Sequence, residues 1–170
     1  MRILAFYTGL AISIFTSSQA SPANLSGNWQ IDPSLSSAID PWRRIVLDIE
    51  IKGKEVTIEE LVTTGRRYHS QTYVIDLSRK TNRVPVDWWT GNRHIGAFLG
   101  GDGKMEIRGE WIDGGKVLKL ESNFVVETNQ GESPIREYTE YRLSRDGQRL
   151  TRLTLRSSRP TPITHVFTRK

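Results

Sequence analysis

The stretch Lys104–Thr128, KMEIRGEWIDGGKVLKLESNFVVET, decides the fold. Met105, Ile107, Gly109 and Trp111 fall on one parity, and Glu106, Arg108 and Glu110 on the other. After the turn signal Asp113-Gly114-Gly115, the residues Leu118, Leu120, Ser122, Phe124 and Val126 share one face. Lys119, Glu121 and Asn123 share the opposite one. Period-two alternation with one charged face describes two antiparallel strands that are buried on one side and wet on the other.

The same unit repeats in both directions. Upstream, Ile45, Leu47, Ile49 and Ile51 alternate with Asp48, Glu50 and Lys52, and Lys52-Gly53-Lys54 makes a turn. Val56, Ile58 and Val62 follow on one parity, which carries Glu60 with them to the buried side. Tyr73, Ile75 and Leu77 point inward on the next segment, and His69 and Gln71 share their parity. Asn24–Asp32 reads as the first strand. Pro33–Arg44 reads as a connector in which Ser34 can cap one helical turn before Pro41. Ser78–Arg93 is the least regular part, and Ile95–Gly100 is a short strand. Downstream, Asn129–Pro134 reads as a polar loop and Ile135–Ser144 as a strand. Asp146-Gly147 signals a type I′ hairpin, and Gln148–Ser157 and Ile163–Arg169 complete the chain.

Eight to ten strands joined by short turns, with no convincing helix, make an all-β, up-and-down antiparallel meander. An open meander of this length exposes two edges, and closure into a barrel removes them. A β-sandwich is the alternative. Glu, Arg and Lys on the outward faces argue against a barrel set in lipid.

The expected barrel domain spans residues 21–170. Residues 1–20 read as an export signal: Arg2, an apolar run from Ile3 to Phe15, and the small residues Ser18 and Ala20 at a cleavage site. The apolar run is shorter than the roughly 20 residues that a spanning helix needs. The chain has no cysteine, so disulfides, thiolate nucleophiles and Cys-held metals are excluded. A periplasmic or secreted protein resting on its core and strand pairing is expected. Charge is uneven: Ile135–Lys170 carries nine Arg and Lys against three Asp and Glu.

Gly27-Asn28-Trp29 resembles the G-x-W signature of lipocalins, and the longer LSGNWQIDPSLS resembles the opening of bacterial exported lipocalin-like domains. EYRLSRDGQRLT and the closing THVFTRK are similar to the same group. The resemblance implies a calycin-type barrel with an internal cavity for a small, largely apolar ligand or lipid. It also implies that Trp29 plugs the closed end and that a late Arg, for which Arg169 is the candidate, packs across it.

Inward-facing polar residues are the candidates for ligand contact: Glu60, His69, Ser122, Glu137 and His165. A barrel of this size holds one small ligand, and mostly apolar walls with a few polar groups are the usual design. The alternative is that these groups satisfy one another as buried polar residues must. Trp88 and Trp89, in the irregular segment, are candidates to gate or stack on a ligand, with Trp42 a weaker one. His165 or His69 offers a haem or small-enzyme alternative. No spaced ligand cluster accompanies them, so no cofactor or metal is expected. Arg142, Arg152 and Arg156 are expected to form a basic outer stripe, with Arg145, Arg149 and Arg159 near its ends, that attracts an anionic envelope surface; the alternative is an ordinary solvated face that discourages edge pairing. Without aromatic interleaving, nucleic acid is the least favoured partner. Glu59 and Glu60 point to opposite faces of one strand and cannot act together. No catalytic motif is present, so binding is expected rather than catalysis.

Overall fold

The computed structural model describes residues 22–37, 39, 41–86, 89 and 98–170. The expected export signal, Trp88 and residues 87 and 90–93 of the irregular segment lie outside these residues. Eleven strands are described: β1 (Gly27–Ile31), β2 (Arg44–Lys52), β3 (Glu55–Thr64), β4 (Arg67–Asp76), β5 (Asn82–Pro85), β6 (Phe98–Leu99), β7 (Lys104–Ile112), β8 (Val117–Thr128), β9 (Gly131–Leu143), β10 (Arg149–Arg156) and β11 (Arg159–Arg169). All are antiparallel and run in the order β4-β3-β2-β1-β11-β10-β9-β8-β7-β5, with β6 pairing separately onto β8. The last strand pairs with the first, so the meander curls into a nearly closed barrel compatible with a calycin-like architecture.

The opening hairpin forms in the expected register, with Trp111 opposite Leu118 and Gly109 opposite Leu120. Its turn places Asp113, Gly114 and Gly115 all at positive φ, a conformation that costs glycine least. The second hairpin signal is only half right. Gly147 alone has positive φ there, so the turn is not type I′, which needs two such residues. Asp146 holds it instead, accepting from the amide of Gln148. Asp32, not Ser34, caps the single helical turn Pro33–Leu35. The loop after β8 shrinks to a tight turn because pairing continues to Thr128 and Gly131.

Closure occurs along a seam between β4 and the β5–β7 pair, and β5 was missed as a strand. Asn82, 6% exposed, bridges the seam with its side-chain amide. It accepts from the amide of Asp76 at 2.9 Å and donates to the carbonyls of Asp76 and Ile107. Gln71 of β4 donates to the carbonyl of Pro85 on β5. Gly109 sits where this junction is tightest: a Cβ there would lie 2.6 Å from Leu77 and 3.2 Å from Ile75.

Trp29 and Arg169 form a plug where β1 meets β11. Trp29 is fully buried and pairs in register with Arg169, whose guanidinium lies 4.1 Å from its ring centroid. The indole N–H donates to the carbonyl of Leu25, and Arg169 donates to the carbonyls of Ser26 and Gly147. Gly27 suits this place because its φ of 139° is one that L side chains rarely adopt, and a Cβ would also displace Arg169 Nη1, 2.4 Å away. Leu25, Leu47, Leu150 and Phe167 are fully buried in the same core as Trp29.

Candidate functional site

Above that packed floor, the inward positions of β8, β9, β10 and β11 line up in three cross-strand rungs. The deepest is Leu118, Tyr141, Arg152 and His165; the middle one is Leu120, Thr139, Thr154 and Ile163; the outermost is Ser122, Glu137, Arg156 and Arg159. Successive rungs are two residues, about 7 Å, apart along β8, β9 and β10, whereas on β11 the register shifts between the middle and outer rungs, from Ile163 to Arg159. The facing wall is largely apolar, with Ile45, Ile58, Val62, Met105 and Ile107, and the two walls enclose a cavity of about 110 Å³. Trp42 and Trp89 also line it.

The deep rung carries a buried ion pair across the lumen. Glu60 on β3 is 5% exposed, and its carboxylate accepts from Arg152 Nη1 at 2.7 Å. Arg152 Nη2 lies 2.9 Å from His165 Nδ1. A guanidinium only donates, so Nδ1 accepts and His165 is neutral in this arrangement. The Arg152 guanidinium also lies over the Phe167 ring. Burial works against its charge, but Glu60 and Tyr141 more than offset this and raise its pKa. Burial likewise raises the phenols of Tyr73 and Tyr141, with the Glu60 charge adding to the effect. Both are neutral hydrogen-bonding groups at neutral pH.

The outer rung differs in kind. Burial pushes the Glu137 carboxyl up to about 7 even though Arg152 and Arg156 pull it down, and Glu60 adds to the rise. Trp89 donates a hydrogen bond to it. Trp89 is held edge-to-face against Phe124, and the Arg156 guanidinium stacks 4.8 Å from its ring centroid. The site therefore combines one permanently charged pair at depth with a carboxyl near its titration point at the rim. Thr139 and Thr154, 3.3 Å apart, separate the two levels.

The structure brings together Glu60, Trp89, Ser122, Glu137 and His165 from the sequence-derived candidates. His69 shares their parity and pairs with Val62, but it stands half-buried outside the cavity lining. Trp88 lies outside the described residues. Trp29 and Arg169 belong to the plug, away from the cavity.

The basic outer stripe is corrected. Arg142 is exposed and pairs with Asp113, but Arg152 and Arg156 face inward. The register opposes Arg152 to Tyr141 and Arg156 to Glu137, and it turns Leu155 outward, 42% exposed. A buried carboxylate such as Glu60 costs several kcal/mol without a partner, and this demand outweighs burial of one leucine. Tyr73, placed inward by parity, also lines the cavity, as do Tyr141, which was not among the candidates, and Arg159, which was expected at the end of the outer stripe. Inward parity marked the two tyrosines, and the need of Glu60 for a cation was the available signal for an inward Arg.

Among the described residues, no cluster of three or more His, Asp or Glu is arranged to hold a metal. The sequence matches no protein-family profile, and no curated protein is significantly similar to it.

Proposed function

We propose that this chain is an exported, lipocalin-like binding barrel that holds a small, largely apolar ligand non-covalently in the cavity opposite the Trp29–Arg169 plug. The observation that carries the reading is the arrangement of the lumen. One end is sealed and packed, and the other keeps a cavity with an apolar wall facing a wall of fixed polar groups. That is the usual composition of a small-molecule site. At about 110 Å³ the enclosed part suits a ligand of modest size, since a 150 Å³ apolar cavity is known to admit benzene. Binding rather than turnover fits the way Arg152, Glu60 and His165 are committed to one another. Haem is the less favoured reading, because His165 sits deep in the lumen within the Arg152–Glu60 network. With Arg152 and Arg156 turned inward, the outer face loses most of the case for an anionic envelope surface.

The test is native mass spectrometry of the protein purified from its own host, followed by organic extraction, on wild type and on Thr139→Phe. Thr139 lies in the middle rung, so a phenyl group there fills the lumen. A reproducible adduct in wild type that Thr139→Phe loses supports the reading. An adduct that the variant retains places the ligand elsewhere and refutes it.

A further inference from the structure

The basic stripe expected on the outside of β10 does not form, but folding assembles a basic surface elsewhere. The chain carries two Arg-Arg dipeptides, Arg43-Arg44 and Arg66-Arg67. Pairing of β2, β3 and β4 brings them to one corner of the barrel, at the end away from the Trp29 plug. Arg44 lies opposite Thr63, and Thr63 opposite Tyr68. The amide of Arg43 donates to the Thr63 carbonyl, and Arg67 lies opposite Thr64. Arg66 sits in the turn between β3 and β4. All four arginines are exposed, and Tyr68 beside them is 77% exposed. Among the described residues, none of the four guanidiniums has a carboxylate partner or a side-chain hydrogen bond. Other exposed arginines are matched: Arg79 by Asp76, Arg83 by Asp102, Arg108 by Glu110 and Arg142 by Asp113.

The same wall changes sign away from this corner. Four residues further along β2 than Arg44, Asp48 sits directly opposite Glu59, which accepts from Ser70. Four residues of strand span about 14 Å, more than the Debye length of about 10 Å in 0.1 M salt. A polyanion lying along the strands would cross those carboxylates. A flat anionic surface met end-on by the corner would not. We infer that Arg43, Arg44, Arg66, Arg67 and Tyr68 dock the barrel end-on to the surface of a bilayer rich in anionic phospholipid. The guanidiniums take headgroup phosphates, for which their planar fork of donors is suited. Tyr68 sits at the level of the headgroups, where an apolar ring with a polar tip is favoured. Asp48 and Glu59 stay clear of the surface. Trp42, which lines the cavity, immediately precedes Arg43, so docking turns the cavity end of the barrel toward the lipid. Docking of this kind does not require the cavity to hold a ligand, so it stands apart from the binding-barrel reading.

The experiment is co-sedimentation of the protein purified from its own host with vesicles of phosphatidylcholine, alone or with about one-third phosphatidylglycerol. We expect binding to the anionic vesicles only, lost as salt rises from about 0.05 to 0.5 M. Arg44→Gln and Arg67→Gln should each lower partitioning about fivefold, the share of one basic residue near an anionic surface. Arg142→Gln, near the other end of the barrel, should leave it unchanged. The chain has no cysteine, so Tyr68→Cys and Val74→Cys each accept a single environment-sensitive dye. Both positions are exposed on β4, about 20 Å apart along the strand. On anionic vesicles the dye at position 68 should shift to the blue and the dye at position 74 should not. Circular dichroism checks that each variant is folded. Equal binding to both vesicles, binding to neither, or binding that survives replacement of all four arginines by Gln overturns the inference. Equal dye shifts at the two positions overturn the end-on orientation. Binding of soluble polyphosphate at this corner with no dye shift on vesicles assigns it to a soluble polyanion and overturns the bilayer. Each of these results leaves the binding barrel standing.

Discussion

Replacing Glu137 by Gln removes one titrating oxygen while keeping the shape of the side chain and an acceptor for the Trp89 N–H. The folded carboxyl titrates at about 7 against 4.5 for its unperturbed form, with burial as the main cause. At about 1.4 kcal/mol per pH unit, ionised Glu137 costs the folded state about 3 kcal/mol. Below pH 4.5 both folded and unfolded carboxyls are protonated, and the cost vanishes. As pH rises from 4.5, the unfolded chain ionises first, so stability falls until the folded group also ionises near 7. By pH 6 about 2 kcal/mol is already lost, and above pH 8 the loss is complete at about 3 kcal/mol. Glu137→Gln should therefore be close to wild type in stability at pH 4 and more stable by about 3 kcal/mol at pH 8. In a domain of this size that is roughly 6–12 °C in Tm. The assay is urea unfolding followed by tryptophan fluorescence at constant ionic strength, on both proteins at pH 4, 6 and 8. Contributions from the histidines and from the aspartates with lowered pKa are common to both proteins and cancel in the difference. A difference that stays flat across this range refutes the burial of the Glu137 carboxyl beside Arg152 and Arg156.

Breaking the lumenal ion pair by Glu60→Gln or Arg152→Met should each cost about 3–5 kcal/mol, because each strands a buried charge. The double variant Glu60→Met with Arg152→Leu should recover much of that loss in the same urea assay. Asn82→Ala should cost about 2–3 kcal/mol by leaving the seam's backbone groups unmatched. Hydrogen exchange should then speed up at the Asp76 amide before it does in β9. Arg169→Met removes the cation over Trp29 and two carbonyl partners, and should lower stability by about 2 kcal/mol in thermal unfolding.

The hairpin from Lys104 to Thr128 could be read correctly because local alternation and the Asp-Gly-Gly turn agree, and agreement between levels makes a segment legible. Glu60, Ser122, Glu137 and His165 were placed inside by parity alone, and no register shift interrupts β3 against β2 or β8 against β9. The β10 segment was harder. Leu150 shares a parity with Arg152, Thr154 and Arg156, while Leu153 and Leu155 share the other, so the hydrophobic pattern pulls both ways. A local rule that puts leucines inside chose wrongly, because the partner of Arg152 is 92 residues away on the far wall. The strand β5 escaped for a similar reason. Its four residues carry too little alternation to stand out, and its anchor is the three-way bridging of Asn82 between β4 and β7.

The linear chain thus determined the all-β class, the meander and the inward side of most strands, because these depend on periodicity and turn chemistry within a few residues. The tertiary structure alone decided that Arg152 crosses the lumen to Glu60, that Arg156 stacks on Trp89 and opposes Arg159, and that Glu137 is buried enough to titrate near neutrality. Those outcomes depend on which strands face each other across the closed barrel and on how much water is excluded between them. Alternation along a strand encodes neither.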